Sequence, residues 1–517
     1  MTLTRFLLLA CALLPAALML AAMPHRRGAA VPPAWGRFRG LAIAALASTV
    51  ARLGLEIAAV PGAPGPLLPG LGTTLAGAWV AVLVQLLGTV IAVFSSRYLQ
   101  GEPGQPRYVA ALGGVLAAVH LLLLADHWLV LIAAWAAVGL ALQHLLCFYT
   151  DRPFALLAVH KKRLADRLAD VLLIAAAALA WHEVGSGSLP ALWRHLAAGE
   201  PSIALQASAV CLALAVVLRT ALLPVHGWLI QVMEAPTPVS ALLHAGVINL
   251  GGYVLIRFAP LLEAAPVARW LLVGIGLATA LLAGLVTLTR ISIKVRLAWS
   301  TVAQMGFMVM ECGLGLYTLA LLHVIGHSLY KAHAFLAASA TVEETRLRTM
   351  RGTAAPSAVS LVVAPVLTTG LIAGLVALLV ALVPMAVWPW WWSGVLALAW
   401  APLLWLPAKR HPDAPGTARH ALAGAGMVAA LVLAAWVGHA LPLGVRDAPH
   451  AAAGLVALAG MAALYLCLAL LQTRPQAHPQ TLGRWRRWSY AGFYVDEYAT
   501  RAALRLWPAR WTPAATQ

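Results

Sequence analysis

Long apolar runs alternate with short polar ones along the whole chain. The apolar stretches lie near 3–23, 38–60, 73–95, 108–125, 128–149, 166–184, 203–225, 238–260, 268–289, 297–315, 317–341, 358–384, 389–407, 420–441 and 451–472. Most hold about 20 residues, the length an α-helix needs to cross a hydrocarbon core of about 30 Å. The pattern predicts an all-α polytopic membrane protein with about 15 transmembrane helices. The first run, with Arg5 before it and Leu20-Ala21-Ala22 near its end, has features of a signal peptide. It is long for one, and Arg26 and Arg27 follow directly. It is therefore read as a retained first helix with its N-terminus outside.

That choice fixes a topology. The loops on one side then carry Arg26, Arg27, Arg37, Arg39, Arg97, Arg107, Arg152, Lys161, Lys162, Arg163 and Arg167. Later loops on the same side add Arg290, Lys294, Arg296, Arg346, Arg348, Arg351, Lys409, Arg410 and Arg419, and the tail adds Arg474, Arg484, Arg486 and Arg487. The other side holds Arg5, Arg194, Arg257, Arg269 and Arg446. Such asymmetry places the basic loops and the C-terminus inside and the N-terminus outside. The chain divides into N-terminal helices (1–107), a central core (108–345), C-terminal helices (346–472) and a tail (473–517). Trp388, Trp390, Trp391 and Trp392 are expected at a membrane interface. The tail from Arg484 to Arg510 mixes Trp, Tyr, Leu and Arg and is expected to lie on the inner surface or to dock a partner.

Composition agrees: 62% of the 517 residues are hydrophobic and 10% are charged. The formal net charge of +18 would suit nucleic acid, but it sits in alternate loops and forms no basic face. The five cysteines are dispersed within apolar runs, with neither disulfide nor metal spacing.

Ionisable residues inside apolar spans are costly and usually functional. Arg219 lies late in one span, and Pro224, His226 and Pro236-Thr237-Pro238 follow, so the helix must break there. A broken helix in a membrane frees backbone groups to line a hydrated cavity. Glu234 lies in the break and is expected to pair with Arg219 or a neighbour; a snorkelling arginine beside a loop is the other reading. His244 is either a packed histidine or a relay, since a neutral imidazole both accepts and donates a proton. His323, His327 and Lys331, spaced i, i+4, i+8, share one helical face, and packing alone does not explain that row. His333 falls off that face. Lys294 is a path residue or an interface lysine. Asp166 and Asp170 share a face with Lys162, as an inner-mouth salt bridge or a proton entrance. Arg52 and Glu56 read as a structural ion pair, and His144 beside Gln143 is a further candidate. The His323/His327 pair lacks a carboxylate or cysteine nearby in sequence to complete a metal site. No nucleophile elbow, phosphate loop or cofactor fingerprint is present, so the chain reads as a conductor of ions rather than an enzyme.

The stretches Arg219-Thr220-Ala221-Leu222-Leu223-Pro224-Val225-His226 and Ala235-Pro236-Thr237-Pro238-Val239-Ser240-Ala241-Leu242-Leu243-His244-Ala245 resemble the central motif of the antiporter-like subunits. These occur in respiratory complex I, membrane hydrogenases and Mrp cation/proton antiporters. Ile293-Lys294-Val295-Arg296 through Gln304-Met305-Gly306, and His323 through Lys331, resemble the same family. The resemblance covers residues 70–345 and implies two inverted-repeat bundles with broken helices and a midplane chain of Lys, His and Glu. It places Arg219 at the family's broken-helix lysine, and His244, Lys294, His323, His327 and Lys331 at relay positions. The family's glutamate, which pairs with that lysine, is here Ala136 in Trp135-Ala136-Ala137-Val138-Gly139. Arginine does not readily deprotonate, so Arg219 is expected to act as a fixed charge. The region 358–384 holds no lysine or glutamate to match the family's late exit lysine.

Those departures, with His226 through Ala235 and the ending Tyr490-Ala491-Gly492-Phe493-Tyr494-Val495-Asp496-Glu497, resemble one branch, the membrane subunits of DAB inorganic-carbon pumps. That resemblance implies a DabA-type cytoplasmic zinc partner related to carbonic anhydrases, with no cofactor in this chain. It implies inward flow of protons or Na+ that drives carbon dioxide hydration in the partner. A subunit of a respiratory or hydrogenase complex, and a membrane anchor for the partner, stand as alternatives.

Overall fold

The apolar runs form helices in the computed structural model, which describes residues 3–23, 31–58, 68–199, 201–338, 356–384, 387–406, 417–473 and 479–509. Arg26, Arg27, Arg346, Arg348, Arg351, Lys409, Arg410, Arg474 and Arg510 lie outside the described residues. The first helices are α1 (Leu3–Ala21), α2 (Val31–Ala58), α3 (Leu75–Tyr98), α4 (Gln105–Leu123), α5 (Trp128–Leu146), α6 (Pro153–Val184), α7 (Leu189–Ala198) and α8 (Ile203–Arg219). The central ones are α9 (Gly227–Gln231), α10 (Thr237–Ala245), α11 (Leu250–Arg257), α12 (Ala259–Glu263), α13 (Pro266–Thr287), α14 (Ile293–Leu314) and α15 (Tyr317–Leu336). Then come α16 (Ala358–Leu382), α17 (Trp390–Trp400), α18 (Thr417–Ala440), α19 (Ala451–Thr473), α20 (Pro479–Tyr490) and α21 (Val495–Leu506).

Ten helical stretches among the described residues are long and apolar enough to cross a membrane. The helices α6, α14 and α15 are not among the ten. They are the helices that carry Lys162, Asp166 and Asp170, then Lys294, and then His323, His327 and Lys331. Polar content lowers their apolarity, since each carries ionisable residues within its span. The run 166–184 is the second half of a longer helix, because Pro153 is accommodated in the first turn of α6. The short α7, with one buried face, escaped the apolar-run reading.

Apolar side chains from α1 to α15 form one continuous core. A second cluster, built on Ile372, Trp391, Trp392, Val395 and Val432, attaches α16 to α19 to α13–α15. Two tryptophans expected at an interface, Trp391 and Trp392, are therefore core residues, whereas Trp390 is 73% exposed. Facing of a neighbouring helix, and not only the aromatic belt, draws tryptophan into this segment. Val359, Val362, Val366 and Leu367 on α16 point outward, as a lipid-facing helix requires.

Without a water-driven force between helices in lipid, close backbone approach supplies much of the packing. It is seen between α13 and α14. A Cβ at Gly306 would lie 2.7 Å from the Gly276 carbonyl oxygen, and one at Gly276 would lie 2.6 Å from the Gly306 carbonyl oxygen.

One end of the bundle gathers Arg97, Arg107, Arg152, Lys161, Arg290 and the C-terminal helices, and is called the basic end below. At the opposite end Arg257 reaches Asp126 at 2.6 Å, and Arg269 donates to the Gly313 and Ala448 carbonyl oxygens at 3.0 and 2.7 Å. Burial holds the Asp126 carboxyl above its usual range, against the pull of Arg257.

Gly306→Ala is expected to lower the melting temperature of the detergent-solubilised chain, since the added methyl must separate α13 from α14 at a cost of about 1–3 kcal/mol. Gly274→Ala, on α13 with open space around it, should leave the melting temperature equal or higher. Equal melting temperatures for Gly306→Ala and the parent chain would contradict this packing.

Candidate functional site

The site starts where α8 stops. Arg219 is its last residue, Thr220 caps it, and Ala221 adopts a left-handed conformation (φ 51°) that turns the chain out of the helix. Pro224 has no amide hydrogen to continue a helix. The freed amide of Leu223 donates to Thr279 Oγ1 of α13 at 3.3 Å. The break thus has its backbone partly satisfied by a neighbouring helix, as an interrupted membrane helix requires.

The Arg219 side chain points into the bundle and is almost fully buried. Its Nη2 pairs with Asp170 Oδ1 of α6, and its Nη1 donates to the Trp135 carbonyl oxygen of α5 at 2.9 Å. The guanidinium also lies 4.7 Å from the centre of the Trp135 ring. One arginine therefore ties together α5, α6 and α8. Of the two pairings open to Glu234, the one with Arg219 does not form and the one with a neighbour does. Glu234 is half-exposed and faces Arg152, 3.7 Å from its Nη1, while the same nitrogen donates to the Glu234 carbonyl oxygen at 2.7 Å. The 3₁₀ turn Val232–Glu234 turns that side chain toward the surface, so the deep carboxylate comes from α6 instead.

Asp170 belongs to a stripe on α6. Lys162 pairs with Asp166 one turn away, both largely buried, and Arg167 reaches Asp170 from the surface at 3.1 Å. Space for the Lys162–Asp166 pair comes from Gly139 of α5, where a Cβ would lie 2.9 Å from Asp166 Oδ2. A cavity of about 20 Å³ is lined by Trp135, Gly139, Lys162, Asp166, Arg219 and Trp228 on one side and by Leu243, Val247 and Ile248 on the other. That is room for about one water molecule.

The second row lies on α15 and its neighbours. His323, His327 and Lys331 share one face, as their spacing predicts, with Lys331 1% exposed. Lys331 Nζ donates to the Leu297 carbonyl oxygen at 2.9 Å and to Ser300 Oγ, both on α14. The rings of His323 and His327 are 5.9 Å apart. His323 Nδ1 lies 2.8 Å from Glu311 Oε2, a buried carboxylate of α14. Glu311 was missed in the sequence, although a carboxylate inside the 297–315 span was the signal that should have found it.

His244 of α10 is fully buried and stacks on Phe335 at 4.6 Å. Neither of its ring nitrogens finds a hydrogen-bond partner among the described residues. Two residues on, the helix is interrupted at Gly246 and passes through a 3₁₀ turn, Val247–Asn249, before α11. Asn249 Nδ2 bridges the Ala245 carbonyl oxygen (2.9 Å) and Ser328 Oγ of α15 (2.8 Å). This second helix break, which the sequence reading ran through as one span, links the two rows. Lys294 is tied to Thr237 Oγ1 at 2.8 Å, and Thr237 to the Tyr98 hydroxyl at 3.3 Å, so it closes the basic end of α10.

Two candidates fall away from these rows. His144 is exposed on the outer face of α5, near its end, and His333 is exposed on α15. Arg52 and Glu56 form the buried pair the sequence suggested, at 2.8 Å on α2. Nearby, Gln85 and His120 form a separate polar contact at 2.9 Å. Among the described residues no group of three or more His, Cys, Asp or Glu side chains is placed to hold a metal ion. At the end opposite the basic one, a cavity of about 300 Å³ is lined by Trp193, Tyr253, Arg257, Glu263, Tyr317 and Arg446. Burial raises the Glu263 carboxyl above its usual range.

Asp170→Asn would leave the Arg219 charge without its deep carboxylate, which for a buried pair costs about 3–5 kcal/mol. The folded yield from membranes and the melting temperature should both fall. Adding Arg219→Gln to Asp170→Asn should restore most of the loss, because no buried charge is then left uncompensated. A double variant no more stable than the single one would show that the pair does not hold the break together.

Residues 125–355 match the family model described as "NADH:quinone oxidoreductase/Mrp antiporter, TM". The chain is 37% identical over 477 residues to the "Probable inorganic carbon transporter subunit DabB" of Hydrogenovibrio crunogenus, covering 90% of each chain. It is 42% identical over 358 residues to "Probable inorganic carbon transporter subunit DabB2" of Halothiobacillus neapolitanus, covering 66% of this chain and 64% of that one. The fold matches a chain of the Mrp complex from Dietzia sp. DQ12-45-1b with a TM-score of 0.58 at 23% identity, over 96% of this chain and 60% of that one. The motifs, the polytopic helical fold and this extent of similarity agree, and the chain belongs to the DabB family, the multi-pass membrane proteins whose relatives are named probable inorganic carbon transporter subunits.

Proposed function

We propose that this chain is the ion-conducting membrane subunit of an inorganic-carbon uptake complex, passing protons or Na+ inward to drive a DabA-type cytoplasmic zinc partner. The observation that carries the reading is the buried row Glu311–His323–His327–Lys331. It places a carboxylate, two imidazoles and an ammonium along one face inside an apolar bundle. Each is a group that can bind and release a proton, and burying so many of them is costly unless they are used. The interrupted segment that carries His244 and Asn249 lies between this row and the α6 stripe: Asn249 holds Ser328 of α15, and Leu243, Val247 and Ile248 line the single-water cavity opposite Lys162, Asp166 and Arg219.

Within this scheme Arg219 stays charged and sets the electrostatic field of the break. Asp166 and Asp170 are secondary path groups, Glu234 and Lys294 lie toward the basic end, and the basic end faces the cytoplasm of a bacterial cell. The cavity lined by Arg257, Glu263 and Arg446 is the opposite opening. Catalysis resides in the partner, and the zinc is the partner's. The family match also favours a second reading, an antiporter-like subunit of a respiratory or hydrogenase complex.

The test is growth in ambient air of a host lacking carbon uptake, expressing this chain with and without its DabA-type partner. Rescue should need both proteins and should be lost with Lys331→Ala at equal membrane level. Rescue that persists in Lys331→Ala would reduce the chain to an anchor. Absence of rescue with the native partner would favour the respiratory-type reading.

A further inference from the structure

The C-terminal segment folds back onto the bundle at the break. Phe493 and Tyr494, both left-handed (φ 56° and 60°), turn the chain between α20 and α21. Ser489 Oγ donates to the Leu285 carbonyl oxygen at 3.2 Å. The Arg290 guanidinium lies 5.0 Å from the Tyr490 ring and 5.1 Å from the Trp299 ring, joining the tail to the start of α14.

The turn delivers Asp496 to α6. Its Oδ1 lies 2.7 Å from Lys161 Nζ, and Lys161 also donates to Thr500 Oγ1 at 2.9 Å. Gln231 of α9 reaches Asp496 Oδ2 at 3.5 Å, and His160 Nε2 lies 3.0 Å from the Trp507 carbonyl oxygen. Lys161 is left 8% exposed, although it belongs to the basic end of the chain. The seat for Asp496 exists because residue 227 is glycine: a Cβ there would lie 1.4 Å from Asp496 Oδ1. The next residue after Lys161 is Lys162, the first member of the buried stripe that leads to Arg219.

We propose that the mouth of the ion path at the basic end is a composite of α6, α9 and α21, and that α21 is its removable seal, seated by Asp496 on Lys161 in the space left by Gly227. The proposal rests on the ion-path reading above. A buried ammonium that loses its carboxylate regains stabilisation only by hydration. Lifting α21 therefore draws water to Lys161 and onward to Lys162 and Asp166, and seating it closes that entry. Ions then cross only when the helix is lifted, which protects the membrane gradient from idle leakage.

The test uses the full chain in vesicles with a pH indicator trapped inside and a potassium diffusion potential driving proton entry. Two variants unseat the helix by different physics: Gly227→Ala by steric overlap and Asp496→Asn by removing the charge. Seating is read separately from Leu504→Cys, at the buried position of α21 itself, in a chain whose five native cysteines are replaced by alanine. Maleimide labelling of that cysteine should speed up several-fold in both variants. Proton flux should rise several-fold with it, and the added flux should vanish when Lys331→Ala is combined. Unchanged labelling in both variants would overturn the seat. Faster labelling with flux no higher than in the parent would overturn the seal alone. Faster labelling with no Lys331-dependent flux in any vesicle would overturn the ion-path reading, and the seal with it.

Discussion

A guanidinium in the middle of an apolar bundle needs an anion, because an isolated buried charge costs far more than a helix pair gains by packing. Arg219 meets that need with Asp170 and with the carbonyl oxygen and ring of Trp135. Three helices are thereby held at one point, and α8 can end there without leaving its last turn adrift. The resemblance to antiporter-like subunits puts a glutamate where Ala136 stands. The structure shows the carboxylate supplied from α6 instead, facing an arginine rather than a lysine. The exchange keeps a charge pair at the break while replacing a titratable cation by a permanent one.

From that fixed point the polar groups divide by what they can do. The stripe on α6 is paired residue by residue, Lys162 with Asp166 and Asp170 with two arginines. Such pairs set a field and hold geometry. In the row on α14 and α15 the Nε2 atom of His327, and beside it both ring nitrogens of His244 on α10, have hydrogen-bonding capacity unused among the described residues. Groups of that kind exchange protons with little reorganisation. Between the two lies the interrupted α10–α11 segment, with Asn249 holding α15 and a cavity the size of one water facing α6. The row on α14 and α15 and the paired charges of α6 are thus placed on different helices, with one discontinuous element between them.

Much of this was legible in the sequence, and the limits have physical causes. The expected spans coincide with described helices because the lipid requirement for about 20 apolar residues is written directly into composition. The break after Arg219 was legible from proline, and the α15 face from four-residue spacing. The partner of Arg219 was not, because pairing across helices depends on how α6 rotates against α8, and sequence proximity favoured Glu234. Glu311 belongs to no motif, and the signal for it is the cost of a carboxylate inside an apolar span. The break at Gly246–Asn249 carries no proline, so nothing local announced it. The seat of Asp496 beside Lys161 joins residues far apart in the chain, which no local pattern encodes.

The central claim is that the buried row carries ions, and proton flux through Glu311→Gln tests it most directly. The substitution keeps the size and hydrogen-bonding reach of the side chain while removing its exchangeable charge. With the purified Asp496→Asn chain taken as the parent, because its mouth is unsealed, in vesicles under an imposed potential, and with folding confirmed by an unchanged melting curve, adding Glu311→Gln should lower the flux about tenfold or more. A flux equal to that of the parent chain would contradict the assignment of the path to this row.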